Sequence, residues 1–374
     1  MLLSIRSTPD SVLVLSCPTK AKCESIGRDS CRITLPAEVS QDTSLVLQFD
    51  YTLPVSAFDG AVYLDRGHRW YPMFQEQIAP YSLRIAAPAD YAVIAGGNFV
   101  STREAGDLIE WAWESPIAVF KLSFVIVPKA KLRQTVYRVD DNFSIISFAY
   151  GSKALASGSV VTEAVDLYEY FSKEIGGYPY NRLSFVELPD VPGMNIGSGI
   201  VTYDSTFAQG FALGYFDGLQ LGMACQWFSA STFNEFLGRG FWFLQLSLPH
   251  YLRLQCTRDR EGDSVYAKVM AQTLDSYRSI VGTEHEVSLL EVDFPNSREK
   301  GLALYAKGPY LLSLIAEQIG DEAWRKMLRD LYHDFRGRIM TLDDFLLVVG
   351  RADSTGAAAG RLERLLSEKG LPTQ

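Results

Sequence analysis

The chain has 374 residues, 47% of them hydrophobic and 21% charged, the balance of an ordinary globular protein and not of a disordered or fibrous one. Its length exceeds the usual single-domain range and points to two domains. A net charge of −9 gives no electrostatic reason to bind nucleic acid or anionic lipid, and the basic residues are scattered, with Arg325, Lys326, Arg329, Arg336 and Arg338 reading as one solvated helical region.

The N-terminus does not read as a signal peptide. Residues 12–15 are too short an apolar stretch, and Pro9 and Asp10 stand where basic residues are expected, so export would require a trimmed or atypical signal. Cys17 follows Val14-Leu15-Ser16 with a faint likeness to a lipoprotein cleavage site but lacks the apolar region before it. The five cysteines are an odd count without zinc-ribbon spacing. Cys23 and Cys31 would bridge in an exported protein and stay free thiols in a cytosolic one.

Short apolar or alternating runs at residues 12–15, 44–49, 61–64, 81–86, 91–94, 108–113 and 120–127 are separated by turn signals such as Phe58-Asp59-Gly60 and Gly96-Gly97-Asn98. Strands at this spacing predict an antiparallel β-sandwich over residues 1–133. The most apolar run, 117–127, is interrupted by Lys121; it is too short to span a bilayer and reads as a buried strand. After Pro128 the pattern changes. Residues 134–138 and 144–148 read as strands, and Val161, Val165, Tyr168 and Phe171 mark a helix stopped by Gly176-Gly177 with Pro179 beyond. Strands at 183–188 and 200–203 flank a Pro/Gly loop. Gly214, Gly218 and Gly222 recur every four residues, which means close backbone approach on one helical face, or a segment before Leu219 that is not helical.

From Leu213 onward helices dominate. Leu311, Leu314, Ile315 and Ile319 form one apolar face ended by Gly320, and Trp324, Met327, Leu328, Leu331 and Phe335 form another. Thr341 is an N-cap candidate with an acidic residue at N3, Asp344. The fold class expected is α+β: the sandwich, then an α/β domain over residues 134–374.

Several landmarks, in chain order, resemble those of the M1 aminopeptidases, the gluzincin group that includes leukotriene A4 hydrolase. Arg69-Trp70-Tyr71-Pro72 is similar to a Trp-Tyr-Pro element of that family's N-terminal sandwich. Ile175-Gly176-Gly177-Tyr178-Pro179-Tyr180 resembles the F-G-x-P-Y-P element. The strand Leu183-Ser184-Phe185-Val186-Glu187-Leu188 leads to Gly193-Met194-Asn195-Ile196-Gly197, which stands where the family has its peptide-binding G-A-M-E-N loop. Leu221-Gly222-Met223-Ala224-Cys225-Gln226-Trp227-Phe228 resembles the H-E-x-x-H zinc helix followed by Gln-Trp-Phe. Phe236-Leu237-Gly238-Arg239-Gly240-Phe241 resembles W-L-N-E-G-F, and Leu304-Tyr305-Ala306-Lys307-Gly308 resembles the Y-x-K-G element. Gly320-Asp321-Glu322-Ala323-Trp324 and the closing Leu366–Pro372 stretch fit the end of the thermolysin-like domain that the resemblance implies.

In that family two imidazoles one helical turn apart and a more distant Glu hold zinc, and the Glu between the imidazoles acts as base on the metal-bound water. The resemblance places Leu221, Cys225 and Arg239 in the three ligand slots and Gly222 in the base slot. Ile196 takes the slot of the loop Glu that holds a substrate amino terminus. Tyr305 alone is retained, in the slot of the Tyr that stabilises the tetrahedral intermediate. Leu has no donor and Arg keeps its proton, so the resemblance implies a degenerate member with no catalytic residues, no zinc and no cofactor. Its function would be to bind a peptide or protein partner in the former substrate groove, with Asn195, Ile196, Gly197, Arg239 and Tyr305 as ligand-binding candidates. Arg239 either restores positive charge for a carboxylate near the vacated cation position or forms an ordinary ion pair. The competing expectation is a divergent, active metalloaminopeptidase with another catalytic geometry. His285-Glu286 begins like the zinc motif, but Leu289 stands where its second His belongs, and the pair reads as an exposed loop. Asn195-Ile196-Gly197-Ser198-Gly199 is neither a nucleophile elbow nor a phosphate cradle.

Overall fold

The computed structural model describes residues 2–4, 11–14, 19–20, 22–25, 30–34, 46–73, 78–150, 157–188 and 191–372. Cys17 and the side chains of Cys23 and Cys31 lie outside the described residues, and the expected 23–31 bridge with them.

Every strand pairing ahead of residue 129 is antiparallel. One three-stranded sheet holds Ser82–Pro88, Leu108–Glu114 and Asn98–Ala105; a second holds Val62–Leu64, Phe124–Pro128 and Tyr91–Ala95. Leu64, Ala87, Val93, Ala95, Trp113 and Phe124 pack between them. The alternate residues of the second sheet, Tyr63, Ala92, Ile94, Val125 and Val127, pack the other way, onto Ile146, Phe148, Val186 and Ile200 of the next sheet. A strand buried on both faces has no polar side to show, which is why 124–127 reads as an unbroken apolar run. That strand starts at Phe124, later than the expected residue 120. Asn98–Ala105 escaped the sequence reading because it is an edge strand exposed over most of its length and so carries no apolar period.

The chain then forms a five-stranded sheet in the order Leu132–Arg138, Ser144–Tyr150, Arg182–Glu187, Ile200–Tyr203, Met194–Gly197. The three inner strands run parallel, and each edge strand is antiparallel to its neighbour. Part of the expected Pro/Gly loop, Met194–Gly197, is therefore a strand: Asn195 pairs with Thr202 and Ile196 with Val201. The Ser157–Glu174 helix covers one face of this sheet with Val160, Ala164, Leu167 and Phe171, and Gly176, at φ +140°, turns the chain out of it. The Asp217–Trp227 helix adds Leu219, Met223 and Trp227 to the same core. Gly214 stands outside that helix at φ +84°, while an added Cβ at Gly218 would lie 2.6 Å from the Phe207 ring and one at Gly222 would lie 3.4 Å from the Met194 sulfur. Both readings of the glycine pattern thus hold in part.

The remaining helices include Leu248–Glu261, Asp263–Arg278, Gly308–Ile319, Asp321–Phe335, Leu342–Ala352 and Ala358–Ser367. Thr341 caps the Leu342–Ala352 helix: its hydroxyl accepts the Asp344 N–H, and the Asp344 carboxylate accepts the Thr341 N–H at 2.9 Å. Arg325, read as solvated, is a half-buried hub with ion pairs to Glu174 and Asp259. Among the described residues no helix is long and apolar enough to cross a membrane.

Candidate functional site

Two glycine turns join the sandwich to the five-stranded sheet. Gly97 donates its N–H to the Ser198 carbonyl at 3.0 Å, with Gly97 at φ +83° and Gly199 at φ +82°. A Cβ on Gly96 would stand 2.1 Å from the Ser198 oxygen, so the two backbones meet only because the side chain is missing. Asn181 strengthens the joint, accepting the Phe99 N–H and donating from its own N–H to the Asn98 side chain at 2.7 Å.

Behind this joint the fully buried Gln226 holds the Asn195–Gly199 strand and turn in place. Its Oε1 accepts from the Gly199 N–H at 3.0 Å and the Tyr178 hydroxyl at 2.7 Å, and its Nε2 donates to the Gly197 carbonyl at 2.9 Å. The adjacent Trp227 donates its indole N–H to the Gly176 carbonyl at 2.8 Å. Three landmarks of the resemblance, far apart in sequence, are thus one hydrogen-bonded unit.

Opening onto this unit, between the sandwich and the helices, is a cavity of about 530 Å³. It is lined by Asn195, Ile196 and Gly197, by Phe236, Phe241, Trp242, Gln245 and Phe294, and by Asp65, Arg66, Phe120 and Lys121 of the sandwich. Gln245 sits on a π-helical turn, Phe243–Ser247, and its Oε1 accepts from the Asn234 side-chain amide at 3.1 Å. Arg66 lies over the Phe120 ring, 3.7 Å from its centroid, and donates to the Phe120 carbonyl. Asp65 is engaged by the Tyr63 hydroxyl at 3.1 Å and by His68 at 2.7 Å. Lys121 forms no hydrogen bond or ion pair among the described residues; Cys225, Asp65 and Arg66 are the groups whose titration bears on it, and burial holds its pKa below the ordinary lysine value.

Leu221 and Tyr305 line a different cavity, of about 450 Å³, together with Asp217, Gly218, His250, Arg253 and Thr273. His250 meets Tyr305 edge to face, ring centroids 5.4 Å apart, and its Nδ1 is buried without a partner. Burial and the nearby Arg253 push its pKa down to about 3, so the imidazole is neutral. Arg253 is paired with Asp217 across the mouth. Tyr305 stands on a second π-helical turn, Ala303–Lys307, packed against the first: Ser247 donates its hydroxyl to the Leu304 carbonyl at 2.7 Å, and a Cβ on Gly308 would lie 2.1 Å from that hydroxyl oxygen. Lys307, 1% exposed, donates to the Glu368 carbonyl and ties the C-terminal stretch down. The Lys-Gly of that landmark is therefore scaffold, and Tyr305 and Ala306 are its cavity-lining members.

Cys225 is buried within electrostatic range of groups from both cavities. It is 4% exposed, lines neither cavity, and interacts electrostatically with Lys121 of one and Tyr305 of the other. Burial pushes its thiol up to about 12, with Lys121 opposing. The structure thus brings Asn195, Ile196 and Gly197 together in one cavity and Leu221 and Tyr305 in the other; Gly222 packs against Met194 and Val201.

Arg239 joins neither group. Left-handed turns at Leu237 (φ +59°) and Gly240 (φ +72°) swing it to the surface, where it pairs with Asp343 and Glu363, each at 2.6 Å. Of the two readings of Arg239, the ordinary ion pair is the one its contacts match. His285 is exposed as expected, but Glu286 is not: 4% exposed, it accepts from the Tyr277 hydroxyl and from the N–H groups of Gly282 and Gly370. Lys121 was missed as a site residue although its signal was plain, the sole charge in the apolar 117–127 run. Among the described residues no three His, Cys, Asp or Glu side chains cluster closely enough to hold a metal ion.

No protein-family model matches this chain, and no curated protein matches it in sequence. Solved structures match it in fold. An M1 zinc metallopeptidase from Deinococcus radiodurans superposes with a TM-score of 0.77 at 16% identity, over 100% of this chain and 86% of that one. A glutamate-to-alanine mutant of an M1 zinc metallopeptidase from the same organism, bound to a Tyr-Ser-Ala substrate, gives 0.79 at 17% identity, over 100% and 87%. Native yeast LTA4 hydrolase gives 0.79 at 11% identity, and this chain spans 63% of it. The architecture, an antiparallel sandwich followed by a mixed α/β and helical domain, is that of the M1 peptidases.

Proposed function

We propose that this chain is a non-hydrolytic protein on the M1 peptidase fold, divided near residue 133, that binds a peptide in the cavity walled by the Asn195–Gly197 strand. One observation carries the reading: Cys225, in the slot of the second zinc ligand, has the Lys121 ammonium as its neighbour. A dication at that place would face a fixed positive charge, an apolar Leu221 and a thiol that burial keeps protonated. Catalytic zinc takes three protein donors and a water, and these residues do not fit it. Gly222 supplies no base there, and the Tyr305 phenol faces the separate cavity with the neutral His250. What persists is the groove itself, about 530 Å³ with an aromatic wall, within the usual range of roughly 300–1,000 Å³ for ligand sites. A metallopeptidase of this fold has been solved with a Tyr-Ser-Ala substrate bound.

The test pairs metal analysis of the purified protein with an aminopeptidase assay on fluorogenic amino-acid amides, with and without added zinc. The expected result is substoichiometric zinc and no turnover above buffer. Stoichiometric zinc with chelator-sensitive turnover would overturn the proposal.

A further inference from the structure

The polarity of the cavity bears on which end of a peptide it holds, an inference that rests on the peptide-binding proposal above. An aminopeptidase groove anchors the substrate's ammonium on a carboxylate, and here Ile196 occupies that slot. Of the charged side chains lining the cavity, three are cationic (Arg66, Arg69, Lys121) and one is acidic, Asp65. Asp65 already accepts from Tyr63 and His68, and Arg66 is committed to the Phe120 carbonyl and ring. Lys121 stands apart: its ammonium has neither hydrogen bond nor ion pair among the described residues, although Phe120 before it is buried and the strand after it starts at Phe124.

An ammonium that lines a cavity without a hydrogen bond or ion pair of its own gains from an anion that brings hydrogen-bond acceptors to it. Asn195 and Gln245, side chains able to donate, line the same cavity, as do the apolar Phe236, Phe241, Trp242 and Phe294. An anion flanked by an apolar group matches this set, and the C-terminal residue of a peptide is such a group.

We propose that the cavity binds a peptide by its C-terminal carboxylate, held by the Lys121 ammonium, with an aromatic or large aliphatic last side chain against the Phe236–Trp242 wall. The substrate orientation of an exopeptidase acting from the amino end is thereby reversed. The depressed lysine pKa adds a sign: the bound carboxylate requires the protonated amine, so affinity falls with rising pH earlier than an ordinary lysine would allow.

The experiment is calorimetric titration of the intact protein at neutral pH with three blocked dipeptides. These are N-acetyl-Ala-Phe with a free acid, N-acetyl-Ala-Phe amide, and Ala-Phe amide with a free amine. The free acid is expected to bind at least tenfold more tightly than either amide, and Lys121→Met to remove that preference while Lys121→Arg keeps part of it. The comparison among ligands uses the unaltered protein, so it stands even if a substitution fails to fold. Equal binding of the acid and its amide, or an undiminished preference for the acid in Lys121→Met, would overturn the inference and leave peptide binding in place. Preference for the free amine would do the same. If none of the three binds, the peptide-binding proposal falls, and this inference with it.

Discussion

Replacing Gln226 by Leu tests whether the groove is built by the hydrogen bonds described above. The two side chains are close in volume, so the substitution leaves no large cavity, and the loss is almost purely polar. Three partners would be stranded at a fully buried position: the Gly199 N–H, the Tyr178 hydroxyl and the Gly197 carbonyl. Each unsatisfied buried group costs about 1–3 kcal/mol. Tyr178 can rotate its hydroxyl, whereas the two backbone groups are fixed by the strand pairing of Gly197 with Ile200 and by the left-handed turn at Gly199. The expected destabilisation is therefore roughly 3–5 kcal/mol. Urea unfolding followed by tryptophan fluorescence reads it, since Trp227, the next residue, is fully buried. Gln226→Glu sharpens the test. The introduced acid keeps both acceptor bonds but must stay protonated to donate to the Gly197 carbonyl, so its folded-state pKa is raised. Its stability relative to the parent is then best in acid and is lost as pH rises through that raised pKa. A loss under about 1 kcal/mol for Gln226→Leu, with flat pH dependence for Gln226→Glu, would refute the claim that this side chain holds the groove.

The Cys225 thiol, with its pKa pushed from 9.0 to about 12, should be thiolate about a thousandfold less often at neutral pH than an ordinary cysteine. Its alkylation by iodoacetamide in the native state, followed by mass spectrometry of the Cys225 peptide, should therefore trail that of an unfolded control by at least that factor. Arg239→Ala breaks two exposed ion pairs and should cost under about 1 kcal/mol, with unchanged ligand titrations; a tenfold loss of binding would return Arg239 to the site. His250 is neutral in the folded chain down to about pH 3 but protonates near 6.5 when unfolded. Stability from this group is thus present above pH 6.5 and lost as pH falls toward 3, by at most about 1.36 kcal/mol per pH unit. His250→Gln should flatten that slope in urea titrations between pH 7 and pH 4, and an unchanged slope would contradict the burial argument.

The landmarks that made the sequence look familiar are mostly those that build the scaffold, and this explains both what was legible and what was not. Gln226 and Trp227 are bonded to the Gly197–Gly199 turn and to Gly176; Gly308 leaves room for Ser247; Lys307 anchors the C-terminal stretch. Such residues satisfy backbone groups or fill a fixed gap, roles that do not depend on the chemistry the cleft performs. The strands of the second sandwich sheet and the Thr341-capped helix were likewise readable, because period and capping are local properties.

Local rules are silent on where a side chain goes after a turn. Counting along the chain placed Arg239 in a ligand slot, but positive φ at Leu237 and Gly240 turns the guanidinium away to Asp343 and Glu363. The same silence hid the partition of the cleft. Leu221 and Ile196 line different cavities, an outcome of tertiary packing that no periodicity encodes. Yet Lys121 carried a warning of a different kind. A buried strand has no use for an ammonium, and a lysine in the most apolar stretch of a chain must either find a partner or stand at an opening. Among the described residues it has no hydrogen bond or ion pair and it lines a cavity, so the opening is the explanation the physics leaves, and on the proposal above its charge sets the polarity of whatever enters.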